Sequence, residues 1–214
     1  MKETEVEIDV EGITLLGDLA LPTKDVKGVV LFAHGSGSSR FSPRNKFVAK
    51  QLQDAGIGTL LLDLLTLEEE REEAQTAHLR FNILLLASRL AHATNWVIDN
   101  SSTKGLPLGY FGASTGAAAA LVAATEVSAN IKAIVSRGGR PDLAGYSLTK
   151  VAAPTLLIVG GADTLVLQLN QQALELLACE KRLEVVPRAT HLFEEPGTLE
   201  EAARLARLWF QKHL

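Results

Sequence analysis

The sequence predicts an α/β protein, with a mostly parallel sheet of eight strands covered by helices on both faces. Two observations carry this prediction. Short, continuous apolar runs recur at Gly28 to Ala33, Thr59 to Leu64, Leu106 to Gly112, Ile131 to Ser136, Thr155 to Gly160 and Leu183 to Pro187, a pattern of strands buried on both faces. Segments of helical spacing lie between them, and regular strand–helix alternation implies right-handed crossovers. A chain of 214 residues with 47% hydrophobic and 21% charged residues is neither disordered nor low in complexity, and a single domain over residues 1 to 214 is expected.

The elements follow in order. Residues 5 to 10 alternate strictly, Glu11-Gly12 supplies a turn, and Ile13 to Leu21 is strand-like until Pro22, which predicts an opening antiparallel hairpin. Helices are predicted after Pro43, Gly116, Leu165 and Gly197. The clearest amphipathic face steps through Leu79, Ile83, Leu86, Leu90, Ala93 and Val97. The acidic run Glu68 to Glu73, broken by Arg71, is expected to be a solvated helix start, where carboxylates favour the positive end of the dipole. Residues 137 to 154 are too few to fold as a cap, so the predicted site is open or lightly covered by the 138 to 150 loop.

Composition narrows the function classes. The 25 acidic and 21 basic residues create no broad basic field, so neither nucleic acid nor an anionic membrane is an expected partner. The N-terminus has no apolar core of a signal peptide and no run approaches the roughly 18 residues of a membrane span, so a cytoplasmic protein is expected, as monomer or homodimer. The single cysteine, Cys179 in Leu-Leu-Ala-Cys-Glu, is expected to be an inert thiol inside a helix. His78, His92 and His213 fall on helical segments, and no histidine cluster has metal-ligand spacing. Gly35-Ser-Gly37 lacks the third glycine of a dinucleotide fingerprint. No metal and no cofactor are expected.

In a parallel sheet, ligands bind beyond the C-terminal ends of the strands, and the polar residues found there form one constellation. Gly112-Ala113-Ser114-Thr115-Gly116 matches G-x-S-x-G between a strand and an alanine-rich helix. That sharp turn presents Ser114 at a helix start, where N–H groups favour developing negative charge. A serine nucleophile needs a base and an orienting carboxylate. Asp163 follows the run Thr155 to Gly160, and His191 follows Leu183 to Pro187, in the chain order Ser, Asp, His. Asp142 is the alternative carboxylate.

With these motifs the sequence resembles the α/β-hydrolase superfamily over essentially its whole length, and within it the compact dienelactone hydrolase-related branch. The resemblance rests on His34-Gly35, the Ser114 elbow and the Asp163 and His191 loops. It implies an α/β-hydrolase fold without a large cap and a cofactor-independent hydrolase of esters and related acyl compounds. The sequence departs from dienelactone hydrolase in having Ser114 in place of Cys, and Ala117 where that elbow has a further Gly. An oxyanion hole is then expected from the N–H groups of Thr115 and Ser36, with Gly37 as the neighbouring alternative donor, and His34 is expected to bond beneath the loop.

The expected activity is cleavage of an ester or thioester of a small soluble acyl substrate. Acyl transfer or C–C bond hydrolysis by the same triad, or a catalytically idle binding module, are the rival readings. Arg40, Arg137 and Arg140 stand at the same sheet edge. Two readings remain open for them: Arg137 or Arg140 holds an anionic substrate group, since forked donors suit carboxylates and phosphates, or the arginines form salt bridges with Asp142 or Asp63.

Overall fold

A computed structural model describes residues 1–127 and 130–214. The apolar runs become one eight-stranded sheet in the order β1-β2-β4-β3-β5-β6-β7-β8. The predicted hairpin is β1 (Lys2–Val10) and β2 (Ile13–Leu21), and β2 is antiparallel to both β1 and β4. The remaining strands, β3 (Val29–Ala33), β4 (Gly58–Leu62), β5 (Leu108–Ala113), β6 (Ile131–Arg137), β7 (Thr155–Gly160) and β8 (Lys181–Val186), pair in parallel. Every residue of β3, β4, β5 and β7 is buried, which is why these strands are continuous apolar runs.

Helices α1 (Pro43–Asp54) and α6 (Thr198–His213) cover one face of the sheet, with Val48, Leu52 and Phe210 packed against Phe32 and Phe111. Helices α3 (Ile83–Asp99) and α4 (Thr115–Glu126) cover the other. The face predicted from Leu79 to Val97 is buried at each of its six positions, although Leu79 belongs to a preceding 3-10 turn and Asn82 caps α3 through Leu85 N–H. Helix α5 (Thr164–Leu176) begins directly after Asp163. Cys179 lies beyond the end of α5 rather than inside a helix, half-buried, its thiol pushed up by burial.

Two expectations about the site's surroundings change. The 138 to 150 loop contains a kinked 3-10 segment, Pro141–Lys150, packed against α4 and α5. The acidic run forms α2 (Leu67–Thr76) with a capping box at Thr66, but two of its carboxylates are not merely solvated. Glu69 binds Arg89 of α3, and Glu73, 4% exposed, pairs with Arg80 and accepts from Leu79 N–H. These guanidinium and N–H partners hold both carboxyls below their ordinary range despite burial pressing the other way. Helix α2 is thus fastened by ion pairs and forms one wall of the cavity described below.

Candidate active site

Strand β5 runs into α4 through Ser114, whose backbone sits at φ 50° and ψ −122°, a region that only glycine occupies without strain. The neighbours fix it there. Its N–H donates to Arg137 O, and its carbonyl accepts from Arg140 N–H at 3.0 Å and Ala117 N–H at 3.1 Å. Close packing requires small residues on either side. A Cβ at Gly116 would stand 2.3 Å from the Ala33 carbonyl oxygen, and one at Gly35 would stand 2.9 Å from the Ser114 Cβ. Ser114 itself is half-buried, with buried residues on both sides in the chain.

The base and carboxylate meet at the ends of β7 and β8. Asp163 Oδ2 lies 2.7 Å from His191 Nδ1, which makes that nitrogen the donor and leaves Nε2 as the base-competent position. Asp142, the alternative, is held instead by Arg140 through bonds of 2.8 and 2.7 Å. The His191 loop is seated against β6, since a Cβ at Gly138 would stand 3.1 Å from the His191 carbonyl oxygen. Segment 137 to 140 therefore touches both the Ser114 backbone and the His191 loop, which brings the two to one edge.

His34 is buried beneath the β3–α1 loop: Nδ1 lies 2.9 Å from Gly35 O, and Nε2 accepts from Leu64 N–H at 3.0 Å. An imidazolium would turn an N–H toward the Leu64 N–H, and burial lowers its pKa against the opposing pull of Gly35 and Asp63. The unfolded histidine takes up a proton near its ordinary range while the folded one does not, so stability present above that range is lost as pH falls. One such group changes stability by up to about 1.4 kcal/mol per pH unit below roughly pH 6.5. Burial lowers His213 too, which adds to the trend, while the raised carboxyl of Asp63 opposes it at lower pH. Urea midpoints are expected to drop between pH 7.5 and 5.5, and a flat or rising series would contradict a neutral His34.

The three arginines separate. Arg40 is not placed to hold substrate: its guanidinium lies 2.8 Å from Glu5, 3.1 Å from Asp18 and 3.1 Å from Asp63. Arg140 is engaged with Asp142, its pKa raised by that bond. Arg137 differs. It is 6% exposed, with Nε and Nη1 lacking partners, Nη2 at 3.5 Å from Asn45 Oδ1 and its head 5.6 Å from the Phe193 ring. Burial and the neighbouring Arg44 push its pKa down to about 10.

A cavity of about 530 Å³ opens along the β3–α1 loop. It is bounded by Gly35, Ser36 and Thr115 on the elbow side and by Glu70, Glu73 and Arg80 across from them. The sequence placed a helix start at Glu68 to Glu73, as found, but gave it no place beside the elbow. Among the described residues, no group of three or more His, Cys, Asp or Glu could hold a metal ion, and no helix is long and apolar enough to cross a membrane.

Comparisons with known proteins agree with this architecture. A crystal structure of dienelactone hydrolase from Anabaena variabilis superposes with a TM-score of 0.97 at 57% identity, covering 100% of this chain and 98% of that one. Est1E from Butyrivibrio proteoclasticus shares the fold at TM-score 0.79 and 15% identity, covering 97% of this chain and 98% of that one. Proteins from two strains of Mycobacterium tuberculosis, named "Putative phosphoribosyl transferase", are 56% identical over all 214 residues. The match covers 47% of their sequences, so the chain spans about half the length of these curated relatives. Residues 15–212 match the dienelactone hydrolase family, and with the elbow and the eight-stranded sheet in agreement and no cap among the described residues, the chain belongs to that family of hydrolases.

Proposed function

We propose that the protein is a serine hydrolase that cleaves an ester or thioester of a small acyl compound. The observation that carries this reading is the 2.7 Å Asp163–His191 hydrogen bond at the edge where Ser114 is held in a strained turn. Ser114 Oγ attacks the acyl carbon, its proton passes to His191 Nε2, and the carbonyl π pair moves onto oxygen. Collapse of that intermediate breaks the bond to the alcohol or thiol, which leaves with the His191 proton. Water, deprotonated by the same nitrogen, then releases the acid and restores Ser114. Asp163 fixes the imidazole's tautomer and supports its transient charge.

The direct test is a panel of short acyl esters and thioesters combined with labelling by a fluorophosphonate. Hydrolysis and labelling at Ser114 are expected, whereas failure of both across pH 6 to 9 would favour an idle module. The name of the Mycobacterium relatives belongs to proteins about twice this length, and we assign hydrolysis to the half matched here. Competing alcohols added to the assay separate hydrolysis from acyl transfer by the products formed.

Of the three arginines, Arg137 is the one without a carboxylate partner, although its donors are buried, and it carries the reading in which an anionic substrate group is held. A buried guanidinium with unmet donors lowers stability, so Arg137→Met is expected to raise it, by about 1–3 kcal/mol in urea titrations. The same variant is expected to lose activity on acid-tailed esters and keep it on neutral ones. Destabilisation, or equal losses on both substrate classes, would make Arg137 structural.

A further inference from the structure

Ser36 N–H, one expected donor to the oxyanion, is already engaged: it donates to Thr115 Oγ1 at 3.1 Å. Ser36 Oγ lies 3.0 Å from the same oxygen. Two hydroxyls carry two hydrogens, and only one can lie between their oxygens. If Ser36 is the donor of that bond, Thr115 Oγ1 accepts from both the N–H and the O–H of Ser36, and its own hydrogen is spare. If Thr115 is the donor, the Ser36 hydroxyl hydrogen is spare. Either way one hydroxyl hydrogen is not used within the pair, and both residues line the cavity that passes Gly35, the residue packed against Ser114. Thr115 is 3% exposed, so bulk water is a poor partner for a hydrogen left on its Oγ1, whereas Ser36 is half-buried.

We propose that the Thr115–Ser36 hydroxyl pair donates a hydrogen bond to the oxyanion, alongside Thr115 N–H and in place of Ser36 N–H. The inference rests on the reading of Ser114 as an acylated nucleophile. Thr115 Oγ1 is held from the oxyanion-loop side by the Ser36 backbone, so the donor is positioned before substrate arrives, the condition under which such a group lowers a barrier most. Its acceptor is the oxygen that gains charge as Ser114 attacks.

Thr115→Val keeps the side-chain shape and removes the hydroxyl. It is expected to lower kcat about 10- to 100-fold on a short ester, somewhat below the loss of a dedicated oxyanion donor, and to leave KM nearly unchanged. Phenylboronic acid, whose tetrahedral adduct mimics the intermediate, should bind more weakly by a similar factor. Thr115→Ser should restore both. Thr115→Ala gives the same comparison if the valine variant does not fold. The rival geometry makes the opposite prediction: if Ser36 N–H is the true donor, removing the hydroxyl that occupies it leaves kcat unchanged or raised, and that result overturns the proposal. A wild-type protein that neither hydrolyses esters nor labels with fluorophosphonate overturns the hydrolase reading as well. Wild-type hydrolysis with an unimpaired Thr115→Val overturns the hydroxyl assignment alone.

Discussion

Replacing Ser114 with alanine is expected to lower turnover by about 10⁴- to 10⁶-fold while leaving the fold intact. The size of the loss follows from the nucleophile's place in a unit: without Oγ there is no acyl-enzyme, and His191 and Asp163 have nothing to activate. The fold is spared because the elbow is held by backbone bonds to Arg137, Ala117 and Arg140, none of which uses the serine side chain. A companion substitution separates chemistry from structure. Ser114→Gly is expected to be equally inactive yet more stable, by about 1–2 kcal/mol, because glycine adopts φ 50° and ψ −122° without strain. Initial rates and urea midpoints on the three proteins check both statements; alanine or glycine variants within tenfold of wild-type turnover would remove Ser114 from the mechanism.

The second large effect is predicted at Gly116, the second residue of α4. An alanine there would place its Cβ 2.3 Å from the Ala33 carbonyl oxygen and 2.5 Å from that of His34, both backbone atoms that cannot swing aside. The helix would have to lift off the sheet, and Ala117 to Ala120, all fully buried, would lose their contacts with it. Gly116→Ala is expected to lose more than about 4 kcal/mol, in the range where domains stop accumulating as folded protein. Soluble yield and the urea midpoint report it. A variant with the wild-type midpoint would show that the helix has slack that the packing does not reveal.

How much of this was legible in the sequence depends on the range of the interaction. Strands buried on both faces must be apolar throughout, so β3, β5 and β7 were readable from residues a few positions apart, and the elbow is defined by five consecutive residues. The Asp163–His191 pair was readable because the two lie three and five positions beyond the ends of β7 and β8. Of Arg40's partners, only Asp63 was within reach of the sequence: Glu5 and Asp18 lie on β1 and β2, and nothing local distinguishes a guanidinium directed at them from one directed at substrate. The Ser36–Thr115 bond joins residues 79 apart in the chain, and the attachment of α2 joins Glu69 to Arg89. Such pairings depend on where side chains meet after folding, which no periodicity encodes.

The position of Arg40 has a practical consequence. Its backbone N–H donates to Asp63 at 2.7 Å while its head reaches the hairpin, so the segment that carries Ser36 is moored to the far edge of the sheet by carboxylates from three strands or strand ends. The mooring at Glu5 lies within the first few residues of the chain. Trimming the N-terminus, or threading a tag through β1, would therefore act on the oxyanion loop from a distance, and an assay built on such a protein would report the fastening of that loop as well as the chemistry at Ser114.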